Sequence, residues 1–509
     1  MKFFPVAVLG AALFLSCGSR SHDVEKLTYW MTIGANVSAN YSNMGQTPYA
    51  QKLQEKTGIQ VEYLHPPSGS ANEQFNMIIA SGDLPDIMER NWLSYKGGPE
   101  SAITDGIVLR LNDVFEKYAP NMLAYLKANP DINRMIRTDN DSYYCFPFIR
   151  GDFMLLISAG ILVRQDWLDE LGMDVPETID DWYTVLRAFK KRNGSAPFIN
   201  SNFAHNPFAN AYGVIPRDFM VGDDGKVLYS PIENGYRDYI ATIAKWYSEG
   251  LVDPDTFSST YDLVSARMIG SITGVAVASI GSGMGVWTNS ARSRQYLSFK
   301  LTGAPIPVLN KGDTPRIFYA QYPYAAMSSA AITTRAKNVE KAARFLDYSY
   351  SEEGHILNNF GVEGESFNWA DGYPAYSDFI TKNPDGWPIS QALAAYTRSH
   401  DVGPFIQDKR YIEQYYTLPE QKKALATWVQ PYMLKYIVPP ITPSREESAE
   451  LSMIMSEVNT YQQEMEVKFI IGTEKLMNWN TYVSTIRRLG IDRAIEIMNT
   501  ALSRYNSRN

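Results

Sequence analysis

The side chains able to do chemistry in this chain are spread in a way that favours holding a ligand over transforming one. The five histidines, His22, His65, His205, His355 and His400, offer no close metal-ligand pair. Ser282 lies in Gly281-Ser282-Gly283, without the Gly-x-Ser-x-Gly order of a nucleophile elbow. No Walker-type phosphate loop occurs, and Asp223-Asp224-Gly225 is too short for an EF-hand and reads as a turn. Glu352-Glu353 and Glu446-Glu447 read as solvated helix starts. No catalytic residue, cofactor or metal is therefore assigned. Aromatic residues are what the chain has in excess: 33 Tyr, 10 Trp and 22 Phe, 13% of the whole. Tyr and Trp join a flat apolar face to a polar tip, which suits ligands with C–H faces and many hydroxyls. Most of these rings must still be core.

The elements that would position them begin with a strand at Lys26-Leu27-Thr28-Tyr29-Trp30-Met31-Thr32-Ile33. Tyr49 to Lys56 has helical spacing with Gly58 as a stop, and Ile59 to Leu64 alternates as a second strand. A helix over Asn72 to Ala80 and a strand at Asp86-Ile87-Met88 complete a βαβ pattern, which implies a parallel sheet. Ligands of such sheets sit beyond the carboxyl ends of the strands. Trp30 ends the first strand and Trp92 follows the third, so both are candidate ligand-stacking rings. Trp287 follows the glycine-rich turn Ile280 to Gly285, which itself follows the apolar strand Val275 to Ile280. Met220 to Tyr229, with Asp223 to Lys226 at its tip, reads as a hairpin.

The start of the chain carries a different signal. Met1-Lys2, the apolar run Phe3 to Leu15, and Ser16 before Cys17 have the order of an export leader. The run is too short for a membrane span, which needs about 20 apolar residues. With a cysteine directly after the cut it resembles a bacterial lipoprotein signal, placing the leader at 1–16, lipid attachment at Cys17 and a polar tether at 17–26. Cys145 is then without a partner, so the fold rests on its core alone, and its apolar setting marks it as a buried, inert thiol. Net charge is −8, and losing Lys2 leaves 46 basic against 55 acidic residues, or −9. That balance disfavours nucleic acid as a partner.

Several segments together resemble family 1 extracellular solute-binding proteins, the receptors of bacterial ABC importers for carbohydrates. Glu55-Lys56-Thr57-Gly58-Ile59 and Ala80-Ser81-Gly82-Asp83-Leu84-Pro85-Asp86-Ile87 carry the likeness at the start. Val163 to Gly172, Trp246 to Pro254, Gly361 to Trp369 and the Trp479 to Tyr505 segment continue it, the last two resembling the long lipoproteins that bind oligosaccharides. The resemblance implies an α/β, two-lobed periplasmic-binding-protein fold (type II-like), with a hinge between the lobes and a helix-rich C-terminal region from Ser444. Lobe 1 is expected over 27–150 plus about 326–362, and lobe 2 over about 151–325 plus 363–509. Crossings are expected near Phe148 to Phe153, Tyr322 to Ile332 and Val362 to Phe367.

The same resemblance supplies the rest of a candidate ligand site. It turns Trp287 toward the cleft from the second lobe and puts Phe367 and Trp369 on a cleft-lining segment. Asp152, Arg150 and Arg164 flank the first crossing, Asn206 sits in the loop Asn202 to Phe208, and Tyr322 sits in the return strand. An arginine there can pair bidentately with a uronate carboxylate. The implied partners are an oligosaccharide or other small glycan, ABC permease subunits, and the membrane through the lipid; the protein is expected to be a monomer in the cell envelope, on the extracytoplasmic side. The rivals are an exported glycan-processing hydrolase lipoprotein, which would need two carboxylates across one sugar bond, and a binding protein serving a sensor.

Overall fold

A computed structural model describes residues 26–202, 206–316, 320–399, 402–431 and 433–508. The leader, Cys17 and all of the tether but Lys26 lie outside the described residues. In chain order the strands are β1 (Leu27–Trp30), β2 (Val61–Leu64), β3 (Ile87–Arg90), β4 (Phe146–Arg150), β5 (Ala159–Arg164), β6 (Phe198–Ile199), β7 (Phe219–Val221) and β8 (Val227–Tyr229). They continue with β9 (Val275–Ser279), β10 (Leu301–Gly303), β11 (Tyr324–Ile332), β12 (Phe367–Ala370), β13 (Tyr373–Tyr376) and β14 (Ile406–Gln407).

Two sheets define two lobes. The first has the order β14-β4-β11-β3-β1-β2, the second β10-β5-β9-β6. In the first, β1 is parallel to β2 and β3, because helices Pro48–Thr57 and Ala71–Ser81 carry the chain back between them. Thr47 caps the first of these helices and Gly58, at φ 66°, ends it in the left-handed conformation that lacks a Cβ penalty. The early strand-helix order read from the sequence is thus present, with ends displaced by one to three residues. Into this sheet β11 inserts antiparallel between β3 and β4. In the second, β5 runs antiparallel to both β9 and β10, so the start of β5 lies beside the end of β9.

The chain passes between the sheets after β4, before β11, and again after β14. The last crossing corrects the expectation of one at Val362 to Phe367. Phe367 instead opens the β12–β13 hairpin, and the chain then returns to pair β14 with β4 in parallel. Residues 363–509 are therefore not confined to lobe 2. After β14, helix Pro419–Trp428 packs on the second sheet, where Trp428 lies against Gly160 and its indole N–H donates to the Ala304 carbonyl at 2.8 Å. A side chain at Gly160 would collide with that ring.

The helix-rich tail consists of Arg445–Ile471, Trp479–Arg488 and Ile491–Asn506, broken at Gly472 and Gly490 as the sequence indicates. It spans the lobes. Arg217 pairs with the buried Glu466 on the second-lobe side, while Arg445 pairs with Asp105 and Arg504 with Asp139 on the first. Among the described residues no helix is long and apolar enough to cross a membrane.

Candidate functional site

The crossings themselves build the site. Strand β4 ends at Arg150; Gly151 N–H then donates to the Gln407 carbonyl at 3.0 Å, and Asp152 caps a short turn by accepting from Met154 N–H at 2.9 Å. The chain coming back is tied to the one going out: Gln321 N–H donates to the Leu156 carbonyl, and Arg150 N–H to the Pro323 carbonyl, both at 2.8 Å. Two connections joined in this way form one compact strap between the sheets. Beside it lies a cavity of about 270 Å³, lined by Arg150 from the first sheet and by Ser158, Gly160, Asn200, Asn202 and Gln321 among others. Its walls come from the end of β4, the start of β5 and the ends of β6 and β9, the edge where ligands of α/β folds collect.

The electrostatics of this cavity are one-sided. Burial lowers the Arg150 pKa to about 10, and Nη1 of its guanidinium is buried without a hydrogen-bond partner among the described residues. The group sits 5.1 Å from the Phe148 ring centroid. Asn200 is 1% exposed; its Oδ1 accepts from Asn202 N–H at 3.0 Å, and its Nδ2 has no partner among the described residues. A second depression, of about 730 Å³, lies between helices Pro48–Thr57 and Glu352–Phe360 and the β12–β13 hairpin. It is larger, but it touches neither connection of the strap and has no wall from the second sheet. The smaller cavity is therefore the candidate site. Among the described residues no group of three or more His, Cys, Asp or Glu side chains is placed to hold a metal ion.

The sequence model of the family described as bacterial extracellular solute-binding protein matches residues 41–356. The chain belongs to that family. It is 22% identical over 537 aligned residues, 97% of this chain and 96% of the other, to the fructooligosaccharide ABC transporter substrate-binding protein FusA of Streptococcus pneumoniae serotype 4. It is 24% identical over 360 residues to lipoprotein LipO of Bacillus subtilis, 64% of this chain and 65% of that one. Among solved structures, alginate-binding protein AlgQ2, crystallised without calcium ion, superposes with a TM-score of 0.75 at 26% identity, covering 94% of this chain and 98% of that one.

Within this solute-binding protein most residues singled out from the sequence lie elsewhere than at the cavity. Trp287 is fully buried in the second-lobe core, and its indole N–H donates to Ser265 Oγ at 2.8 Å. The turn before it winds as a π-helix over Ile280–Gly285 and runs straight into helix Val286–Ser293, whose buried face takes the ring. Tyr261, 44% exposed and stacked on Trp287 at 6.4 Å, is the ring in front of it. Trp92 donates to the Ser329 carbonyl at 3.0 Å and Trp30 to Gln74 Oε1 at 2.8 Å, both buried around Phe75. With their polar tips satisfied inside the protein, these three indoles serve as core.

Phe367 is buried against Phe360, and Trp369 is exposed but borders the larger depression. Arg164 ends β5 at the edge opposite the cavity and is held by Asp166 at 2.8 and 2.6 Å. Asn206 is buried and caps the turn Pro207–Tyr212. Tyr322 donates to the Ile437 carbonyl at 2.9 Å, and Asp152 pairs with Lys409 at 3.1 Å. Of the polar residues flanking the first crossing, Arg150 is the one that reaches the cavity. Asn200 and Gln321 were missed. Asn200 is a polar residue one step past the apolar strand β6, a signal that becomes specific only when the strand order is known, whereas Gln321, three residues before β11, carries no such signal.

Proposed function

We propose that this protein is the extracytoplasmic substrate-binding component of an ABC importer, which captures an oligosaccharide or related glycan between its lobes and delivers it to the permease. The observation that carries the reading is the cavity at the strap, walled by strand ends of both sheets. A ligand there touches both lobes at once, so its binding free energy biases the angle between them. Family membership and similarity to FusA over nearly the whole chain support it.

The lipoprotein leader and the likeness to LipO support attachment of lipid at Cys17, which would keep a monomeric receptor close to its permease. The reading assigns the protein no reaction of its own. Glycoside cleavage needs two carboxylates facing one bond, and the described cavity wall instead offers a guanidinium, amides and hydroxyls.

The test is a panel of oligosaccharides added to a soluble form that begins at Gly18. Binding raises the melting temperature by mass action and reduces the scattering radius as the lobes close. A panel that moves neither quantity, or that is cleaved on incubation, rejects the reading.

A further inference from the structure

Resting on that reading, we infer that the glycan held at the strap is anionic and that Arg150 receives a sugar carboxylate. Other arginines shielded from solvent have a carboxylate beside them. Arg164 is held by Asp166, Arg217 by Glu466, Arg398 by Glu89 and Arg508 by Asp139. Each brings its countercharge with it, as burial of a guanidinium requires. Arg150 breaks the pattern. Of the described carboxylates close to it in the fold, Asp152 is engaged by Lys409 and Asp408 by His355 and Arg410. Burial outweighs every favourable neighbour and lowers the pKa of Arg150, as it does that of Arg90. Arg90 also leaves Nη1 unpartnered, but it lies on Phe75 at 3.4 Å and bonds Asn91 and Ser94 through its other nitrogens, whereas among the described residues no hydrogen bond reaches the Arg150 guanidinium.

The rest of the wall agrees in sign. Asn200 has its amide oxygen fixed by Asn202 N–H, so the group left over is the NH₂ donor, deep and unpartnered among the described residues. Ser158, Ser201, Asn202 and Gln321 add amides and hydroxyls, and none of the described lining residues is acidic. Neutral sugar hydroxyls both donate and accept, but they bring no charge to a site. This wall holds unpaired donors and a positive charge with no carboxylate beside it, and a ligand carboxylate answers both where a hydroxyl answers only the first. A planar carboxylate meets the fork of a guanidinium with two parallel hydrogen bonds.

The experiment is calorimetric titration of the soluble form with three probes of equal length: trigalacturonate, the same trisaccharide with its carboxyls reduced to hydroxymethyl groups, and a sulfated neutral trisaccharide. Trigalacturonate should bind, and binding should weaken roughly tenfold or more on carboxyl reduction or in Arg150→Gln, the loss of one charge-assisted hydrogen bond. Arg150→Lys should recover part of that loss. Should Arg150→Gln fail to fold, the reduced trisaccharide tests the same contact in the unaltered protein. Equal or tighter binding of the reduced probe overturns the inference while leaving glycan capture intact. Binding of the sulfated probe alone overturns the carboxylate. Failure of all three, and of the wider neutral panel, overturns glycan capture and the inference with it.

Discussion

Arg398 Nη2 lies 2.8 Å from Glu89 Oε1, an ion pair closed across 309 positions of chain and buried on both sides. Glu89 stands in the middle of the first sheet and also accepts from the Tyr29 hydroxyl at 2.6 Å. The pair fastens the segment leading into β14 to the lobe that β14 completes.

Breaking such a pair from one side leaves a buried charge alone. Arg398→Met should therefore cost about 3–5 kcal/mol in urea unfolding. The double change Arg398→Met with Glu89→Gln should be milder than the sum of the two single changes, because neither residual charge remains. A single change within about 0.5 kcal/mol of wild type would show that the contact is not formed in solution.

Trp287→Ala removes a filled core ring, so it should lower stability by about 3–5 kcal/mol. At a temperature where the variant stays folded, glycan affinity should stay within about twofold, since an intact site away from the change keeps its contacts. A large loss of affinity in a folded variant would place the ring at the ligand after all.

The thiol of Cys145 is 1% exposed, and burial pushes its pKa up to about 12. Thiolate is the reactive form, so the native soluble protein should resist a disulfide reagent at pH 8 and react fully in denaturant. Rapid labelling of the native state would contradict the packing around β4.

Acid should unfold the protein through specific carboxylates. Burial pushes Asp408 up, but hydrogen bonds from His355 and Arg410 outweigh it and hold the carboxyl well below the usual range. A hydrogen bond from Arg504 does the same for Glu447, against a smaller effect of burial. Groups with folded pKa values below their unfolded ones stabilise fully above about pH 4 and lose that contribution as pH falls through the folded values. The melting temperature should thus hold from neutral to about pH 5 and drop below about pH 4. Asp408→Asn should flatten that drop; an unchanged acid limb would remove Asp408 from the account.

The sequence shows the local parts well. Periodicity and glycine stops locate β1 to β3 and their helices within three residues, since hydrophobic spacing and left-handed caps are local properties. The β7–β8 hairpin is legible for the same reason. Long-range closure is not. Nothing in Ile406-Gln407 announces a sheet edge, so the third crossing is misplaced by some forty residues in a reading of the sequence alone. The tryptophans mislead because an indole reads alike in a core and in a cleft. What decides is whether its N–H finds a partner inside, as Trp287 does in Ser265. Arg150 stands out only once the carboxylates that could have neutralised it are seen to be engaged elsewhere.

The first sheet holds both the earliest strand, β1, and the last, β14. While the polypeptide is being made or threaded through a membrane, that sheet cannot close until Gln407 has emerged. The βαβ unit at the start must wait with an unpaired edge at β3, which β11 later covers. Long-range pairing of this kind is slow and exposes sticky edges in the meantime. An unfinished chain is thus the vulnerable species in the life of this protein, and a chaperone that shields strand edges would act before the receptor meets any ligand.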